Sequence, residues 1–202
     1  MDKTAAVRRG RPRNFDRDEA LQRAMQVFWS HGYEGTSMTQ LIEAMGIASP
    51  SIYAAFGSKE QLFREAVDLY VTSEAEPSWG ALDRIGDVRQ ALRTMLFASI
   101  DLFVATDAPR GCLVILGATH LGTSNMTVRT ILRNQRGRFR DRLMKRLTRA
   151  IEDGDISGDT DLTALADAIL AFFSGLAIEA VDGATKAKLR AAADLFCQRL
   201  LG

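Results

Sequence analysis

Hydrophobic residues recur along this chain at intervals of three and four, the spacing of α-helices that are buried on one face. The first such stripe consists of Leu21, Ala24, Met25 and Phe28. Asp16, with Glu19 three residues later, predicts where this helix begins, and Gly32 predicts where it ends. Because so short a helix cannot bury its own apolar face, we expect it to pack on the helices that follow.

The stretch 36–59 carries residues suited to helix boundaries at short intervals. Ser37 can cap a helix, and Gln40 three residues later can complete a capping box. Gly46 is expected to end that helix, because glycine readily takes the left-handed conformation found just beyond helix ends. These signals predict a short second helix.

A third helix is predicted directly after it. Ser49 is expected to cap this helix, with Pro50 at its first position, and Gly57 is expected to end it. Ser58 with Gln61 then opens a fourth helix. Two short helices joined by a glycine-bearing turn indicate a helix-turn-helix, whose second helix enters the major groove of DNA.

Beyond this stretch the pattern predicts further helices, at 59–73, from residue 87, and at 125–152, 161–181 and 185–201. Pro77, Ser78 and Gly80 are expected to break the pattern after the fourth helix. The apolar run 112–118 fits a buried strand or a short buried helix, and we assign it to a helix because no second strand candidate exists.

The predicted fold class is therefore all-α, with about nine helices. An N-terminal three-helix unit carries the helix-turn-helix, and the remaining helices form a C-terminal domain. We expect a flexible basic arm at 1–14, the DNA-binding domain at 15–60 and the helical domain at 61–202.

Composition narrows the class of protein. The chain has 202 residues, of which 47% are hydrophobic and 25% charged, enough for a sizeable core. We expect a cytoplasmic protein, because the N-terminus lacks a hydrophobic signal core and no apolar run approaches the roughly 18 residues of a membrane span. Cys112 and Cys197 lie too far apart to suggest a metal site or disulfide framework, and we expect no cofactor. His31 and His120 are the only histidines, and neither accompanies a nucleophile, so we do not expect an enzyme.

The first 14 residues carry five cations (Lys3, Arg8, Arg9, Arg11, Arg13) against one acid (Asp2). Within them, Arg9-Gly10-Arg11-Pro12 resembles the core of an AT-hook, in which arginines enter the minor groove of A·T-rich DNA. The alternative is a disordered tail that only adds attraction to phosphate. Since a helix-turn-helix follows, we favour DNA contacts by Arg9, Arg11 and Arg13.

Charge is also segregated in the C-terminal half. Residues 129–149 hold nine cations and one acid, whereas 152–182 hold eight acids and no cation. A basic helix can bind nucleic acid. We favour a solvated face that is partly matched by the neighbouring acidic segment.

The predicted helix 161–181 is apolar nearly all round, so one face is available for a partner beyond its own domain. We expect a homodimer, because a single major-groove reader has little specificity without a second half-site; the alternative is a wholly intramolecular core. The predicted interface is Leu165, Ile169, Phe173, Leu176, Leu189, Ala193, Phe196 and Leu200.

Several N-terminal motifs together are similar to those of the TetR/AcrR family of transcriptional regulators. They are Phe28-Trp29 with Gly32-Tyr33, Thr36-Ser37, Leu41-Ile42, Met45-Gly46-Ile47, Ser51-Ile52-Tyr53, Phe56 and Ser58-Lys59-Glu60. The match covers about 16–65. Beyond residue 70, only the all-helical plan and the segment Arg110-Gly111-Cys112-Leu113 resemble the family. The resemblance implies an N-terminal DNA-binding unit, a C-terminal ligand-binding and dimerising domain, and repression relieved by a small molecule.

The resemblance also assigns roles to residues. Thr36, Ser37, Tyr53 and Lys59 are expected to contact phosphate, and Ser49, Pro50, Ser51 and Ala54 to face the bases. These four are small, so we expect modest direct readout of the bases and a larger share from the arm and from DNA shape. The partner would be a pseudo-palindromic double-stranded operator.

We expect an apolar or aromatic effector to bind in the C-terminal core and change the separation of the two recognition helices. The expected ligand contacts are Leu69, Trp79, Met95, Phe103, Cys112, Leu116, His120, Met126, Phe139 and Phe172. One alternative is a regulator that senses oxidants or electrophiles through Cys112, whose thiolate Arg110 would stabilise. Another is an architectural protein that binds the DNA minor groove through its arm.

Overall fold

The computed structural model describes residues 15–105, 108, 110–117 and 125–200. Throughout these residues the secondary structure is helical, without a β-strand. The predicted all-α fold class is therefore confirmed. Arg9, Arg11, Arg13 and His120 lie outside the described residues.

Four helices form the N-terminal unit: α1 (Arg17–His31), α2 (Met38–Met45), α3 (Ser49–Phe56) and α4 (Lys59–Tyr70). The predicted caps are confirmed at Asp16, Ser37 and Ser58, whose side chains each accept a hydrogen bond from a backbone N–H of the first turn. The Ser37–Gln40 capping box is complete, and Gly46 ends α2 with a φ of 67°.

The predicted cap of α3 is wrong by one residue. Ser49 already lies in the helix, Pro50 is in its first turn, and Ala48 is the extended residue before it. The carbonyl oxygen of Ala48 accepts from the N–H groups of Ser51 and Ile52, so the first turn closes without a side-chain cap.

An aromatic cluster holds the N-terminal unit together. The Phe28 ring meets the Phe63 ring edge-on, with 5.0 Å between centroids, and Tyr33 packs edge-on against Phe63 at 5.2 Å. Leu41 of α2 and Ile52 of α3 are buried in the same core. The buried faces of α1 to α4 are therefore fixed relative to one another.

The fourth helix does not break where the sequence predicts. A π-helical segment, Val71–Ala75, follows α4 directly and leads into α5 (Glu76–Trp79), which contains Pro77 in its first turn. A further turn, α6 (Ala81–Arg84), follows, and the chain becomes extended only at Ile85. Pro77 has no backbone N–H to donate, and the π segment before it already interrupts the regular α-helical hydrogen-bond pattern.

The C-terminal half consists of α7 (Val88–Phe103), α8 (Leu113–Leu116), α9 (Met126–Glu152), α10 (Leu162–Val181) and α11 (Lys186–Leu200). The helices predicted from residue 87 and at 125–152, 161–181 and 185–201 are confirmed to within about one residue. The apolar run 112–118 contains a single helical turn, α8.

The basic helix α9 is matched by acidic residues, as expected. Arg140 pairs with Asp167, Arg149 with Asp153, and Arg146 approaches Asp155. Arg142 instead binds Glu76 of α5 and Asp83 of α6. The cations of α9 therefore connect it to α6, to α10 and to the chain between α9 and α10.

Candidate nucleic-acid interface

Helix α3 separates an inner apolar face from an outer face of small residues and one tyrosine. Ile52 and Phe56 are buried, whereas Pro50, Tyr53 and Ala54 are exposed, with Tyr53 48% exposed. Ser49 and Ser51 are half-buried beside them. None of the five residues that the sequence assigns to DNA contact on this helix is buried.

The two residues predicted at the start of α2 differ in exposure. Ser37 is exposed, while Thr36 is 1% exposed and its hydroxyl donates a hydrogen bond to the carbonyl oxygen of Gly32 across 2.6 Å. The Thr36 hydroxyl therefore does not face solvent, contrary to the expectation that it would meet a phosphate. It joins the end of α1 to the beginning of α2.

Lys59 is held against the unit rather than extended into solvent. Its Nζ donates to the carbonyl oxygen of Tyr33 at 2.8 Å and lies 4.3 Å from the centre of the Tyr33 ring. Burial lowers the pKa of Lys59, although Glu34 and Glu60 act in the opposite direction. The pKa of Tyr33 is raised, first by burial and then by its hydrogen bond to Glu60. Lys59 thus has a defined position at the start of α4.

An ion pair that the sequence did not reveal positions α3. Arg17 of α1 binds the carboxylate of Glu65 on α4 at 2.7 Å, and its guanidinium lies 4.3 Å from the centre of the Phe56 ring. Since these residues are 39 and 48 positions from Arg17, no local pattern could have identified the contact. It fixes the end of α3 between α1 and α4.

The N-terminal unit is hydrogen-bonded to the C-terminal half on both sides of α8. Trp29 donates a hydrogen bond from its indole nitrogen to the carbonyl oxygen of Gly111, and the Arg110 guanidinium lies 4.0 Å from the centre of the Trp29 ring. The Tyr33 N–H donates to the Gly117 carbonyl oxygen across 3.3 Å. A displacement of α8 and the residues that flank it would therefore also move Trp29 and the end of α1.

A second link joins α4 to α9. The amide of Gln135, which is only 4% exposed, donates to the carboxylate of Asp68 across 2.8 Å. Because Asp68 lies on the helix that begins at Lys59, α9 contacts the element that leads into the DNA-binding unit.

Cys112 lies at the same junction, buried against Tyr70. Burial is the main cause that raises the pKa of the Cys112 thiol, and a hydrogen bond with the Tyr70 hydroxyl acts against it. The alternative of a thiol sensor requires Arg110 to stabilise a Cys112 thiolate. In the structure the Arg110 guanidinium instead lies over Trp29 and binds the side chain of Gln26. Cys112 is a free, buried thiol whose burial disfavours the thiolate.

The predicted ligand contacts divide into three groups. Trp79, Met95, Phe103, Cys112 and Phe139 are buried, and Leu69 and Leu116 are half-buried. Trp79 stacks on Phe139 with centroids 4.2 Å apart, and Trp79 and Phe103 both meet Phe173 edge-on. Met126 and Phe172 lie elsewhere: Met126 is 59% exposed, and Phe172 stacks on Phe196.

The predicted dimer residues divide between the inside of the chain and its surface. Six of them are buried within the chain itself: Leu165, Ile169, Phe173, Leu176, Leu189 and Ala193. The other two, Phe196 and Leu200, line an open apolar groove of about 450 Å³ with Phe172, Ala192, Leu195 and Arg199. Because α10 is apolar nearly all round, its hydrophobic pattern alone could not distinguish the inner face from the outer one.

Helix α10 also corrects an expectation about membranes. It is long and apolar enough, by length and composition, to cross one, whereas the sequence was expected to contain no such segment. Core helices of other proteins meet the same criteria, and seven residues of α10 pack inside this chain. Ile178 and Val181, each nearly half exposed, extend the uncovered apolar face.

Comparison with known proteins matches both halves of the chain. Residues 20–66 match the family model described as "Bacterial regulatory proteins, tetR family", and 86–196 match that of "Tetracyclin repressor-like, C-terminal domain". The chain is 36% identical over 191 residues to the HTH-type transcriptional repressor ComR of Escherichia coli K12, covering 93% of this chain and 91% of ComR.

Solved structures agree. A cysteine mutant of the TetR family transcriptional regulator CifR, complexed with 26-base-pair operator DNA, is 40% identical and superposes with a TM-score of 0.89. The match covers 94% of this chain and 99% of that one. A TetR regulator from Rhodococcus sp. RHA1 is 37% identical with a TM-score of 0.61, covering 92% and 98% of the two chains.

Proposed function

This chain belongs to the TetR family of DNA-binding transcriptional regulators, and from that premise we propose that it is a homodimeric repressor released from its operator by a small molecule. The observation that carries the proposal is the outer face of α3. The Arg17 ion pair holds this face in place. The chain has the fold of a 40%-identical regulator whose structure is a complex with operator DNA.

The outer face of α3 is the proposed reader of the major groove. The Tyr53 hydroxyl would donate a hydrogen bond to a phosphate oxygen. The base edges would be contacted by Ser49, Pro50, Ser51 and Ala54. Ser37, exposed at the start of α2, and Lys59 at the start of α4 would contact phosphates on either side. The small side chains favour close approach and contacts with thymine methyl groups over bidentate hydrogen bonds.

The outer apolar faces of α10 and α11 are the proposed dimer interface. The groove between them is lined by Phe172, Phe196, Leu195 and Leu200. Exposing these apolar side chains to water costs free energy, which a partner that covers the groove would recover. A second copy brings an identical face, so the contact is self-complementary about a two-fold axis. The same axis would relate two half-sites of the operator.

Release would follow from a shift of α4. An effector bound among the buried aromatic residues around Trp79 would move α5 and, through the π segment, α4. The Gln135–Asp68 and Trp29–Gly111 hydrogen bonds would carry the same displacement to the N-terminal unit. The effector must bind the DNA-incompetent state more tightly, since equal affinity for both states shifts nothing.

The experiment begins by selecting bound fragments from genomic DNA and measuring their affinity by fluorescence anisotropy. We expect Tyr53→Phe to weaken operator binding about 3- to 10-fold by losing one phosphate contact, with Lys188→Gln, on an exposed site of α11, as the matched control. Equal affinity of Tyr53→Phe and wild type would remove Tyr53 from the interface. A panel of apolar and aromatic compounds then tests release, and no release by any of them would contradict an apolar effector.

A salt titration distinguishes this proposal from an architectural DNA-binding protein. A specific regulator retains a large ratio of operator affinity to random-DNA affinity as salt rises. An architectural protein loses affinity for both DNAs together, because its contacts are chiefly with phosphate. A ratio near one would overturn the operator-specific role.

A further inference from the structure

A cavity lies near the C-terminal end of α9, beside α6. It has a volume of about 620 Å³ and is lined by Leu82 and Asp83 of α6 and by Lys145, Arg146, Thr148 and Arg149 of α9. Arg146 is 20 residues beyond Met126, which places it about 30 Å along the helix. The residues that line this cavity are distinct from those of the outer face of α3 and from the aromatic cluster around Trp79.

Arg146 is the unusual member of this cavity. Its side chain is 1% exposed, and its Nη2 donates to the carbonyl oxygen of Gly86. Its Nε and Nη1 are buried and have no hydrogen-bond partner among the described residues. A buried guanidinium with two unused donors is costly unless an acceptor reaches it.

The nearest carboxylate does not supply that acceptor. Asp155 Oδ2 is 3.7 Å from Arg146 Nη2, and the same oxygen accepts a hydrogen bond of 3.0 Å from the Val88 N–H. This contact involves Nη2 and leaves Nε and Nη1 unused. The charge of Arg146 is therefore only partly compensated by protein groups.

The cavity walls carry more positive than negative charge. Lys145, Arg146 and Arg149 face Asp83 and Glu152. Asp83 already binds Arg142, at 2.9 Å from its Nε, and Arg149 binds Asp153 at 3.1 Å. The acids of the wall thus leave the two donors of Arg146 unmatched, and an anion is the ligand whose chemistry fits.

We propose that this cavity binds a small organic molecule through a carboxylate or phosphate group. An oxygen of that group accepts a hydrogen bond from Nε or Nη1 of Arg146, and the Thr148 hydroxyl and Lys145 ammonium contact it from the open side. Solvent does not reach the two Arg146 donors in this conformation, so side chains of the cavity wall must move aside when the anion enters. The organic remainder lies against Leu82.

The residues that line this site are not those proposed to bind the effector. It is adjacent to α6, which continues the helical path from α4 through the π segment and α5. Binding here would therefore add a second input to the same path. The site itself can be tested without DNA and without any assumption about repression.

The arginine Nε–H resonances in a ¹H–¹⁵N spectrum of the full-length protein test this site. The Arg146 resonance is identified by its loss in Arg146→Lys. We expect it to shift saturably with inorganic phosphate or with acetate, and not with chloride at the same ionic strength. The anion that saturates at the lower concentration indicates which group the natural ligand carries.

Arg190 provides an internal control, because its Nε is also buried without a partner but its guanidinium binds Asp101 elsewhere on the chain. Its resonance should not move. Lys145→Gln, at an exposed position, should weaken the apparent affinity at least 3-fold, whereas Lys188→Gln should leave it unchanged. Equal shifts at Arg146 and Arg190, equal shifts with chloride, or unchanged affinity in Lys145→Gln would each overturn the site.

Discussion

The indole nitrogen of Trp29 lies 2.9 Å from the carbonyl oxygen of Gly111 and donates a hydrogen bond to it. Trp29 belongs to the first helix of the DNA-binding unit, and Gly111 belongs to the segment that precedes α8. Both residues are buried, so water cannot replace the bond. One side chain therefore connects the DNA-binding unit with the helical core.

Trp29→Phe should lower the free energy of unfolding by about 1–3 kcal/mol, because the Gly111 carbonyl is left buried without that donor. Equilibrium urea unfolding followed by circular dichroism measures the change. Trp29→His, which restores a ring N–H at a different position, should recover little of the loss. A change in Trp29→Phe below about 0.5 kcal/mol would show that the bond contributes nothing measurable.

Gly111→Ala should destabilise the protein by at least about 2 kcal/mol, the range of strain combined with a steric clash. Gly111 has a φ of 59°, and an added Cβ would lie 2.6 Å from the carbonyl oxygen of Ala177. Gly137→Ala is the matched control. Gly137 lies within α9 with open space around its Cα, so alanine there should stabilise by about 0.5–1 kcal/mol. Thermal unfolding of both variants should give shifts of opposite sign.

Glu76→Gln should reduce stability at neutral pH, and the difference from wild type should shrink in acid. The hydrogen bond from Arg142 is the main cause that lowers the pKa of Glu76. Its stabilisation is therefore present above the ordinary glutamate pKa and is lost as the pH falls through the lowered one. Since Glu76 is nearly half exposed, we expect about 0.5–1 kcal/mol at most. Glu179→Gln, in a more exposed pair with Lys188, should change stability less; an equal effect at all pH values would contradict the account.

Leu195→Lys should convert the protein from dimer to monomer in sedimentation equilibrium, because it places a charge in the apolar groove of α10 and α11. Met126→Lys is matched to it, since Met126 is 59% exposed and Leu195 is 57% exposed, but Met126 lies at the start of α9. It should leave the mass unchanged. A dimer that persists in Leu195→Lys would place the interface elsewhere.

Both cysteines should react slowly with iodoacetamide at pH 8, because the thiolate is the reactive form. Burial raises the pKa of Cys112, and burial followed by the charge of Asp194 raises the pKa of Cys197 to about 11. Peptide mass spectrometry across pH 7 to 10 should show both lagging behind free glutathione. Faster alkylation of Cys112 than of glutathione would revive the alternative of a thiol sensor. Unaltered release of operator DNA by oxidants in Cys112→Ser would end it.

The parts of the fold that were predictable are those fixed by neighbours in sequence. The caps at Asp16, Ser37 and Ser58 use side chains within three residues of the N–H groups that they accept, so the chain reveals them directly. The length of α9 follows from its long helical periodicity, and the length of α10 follows from a nearly continuous apolar run of helical length.

The remainder depends on contacts between distant residues. The local sequence does not show that the Thr36 hydroxyl binds the Gly32 carbonyl oxygen at the end of α1. Nor does it show that the Lys59 ammonium binds the carbonyl oxygen of Tyr33. The inner and outer faces of α10 are both apolar, and they differ only in whether other helices of this chain pack on them. In each case the tertiary structure, not the local sequence, decides what surrounds a side chain and where it is held.

The π segment at 71–75 preserves the phase of the long helical path. An α-helix turns about 100° per residue, and a π turn accommodates one additional residue in a single widened turn. Because that turn absorbs the extra residue, deleting one residue there would give a regular α-helix in which Leu62 and Trp79 keep nearly the same relative direction. Both side chains are buried, and both would still face inward. A single-residue deletion within 71–75 should therefore be tolerated far better than one in the middle of α4 or α7, where it would rotate the two ends relative to each other by about a quarter-turn.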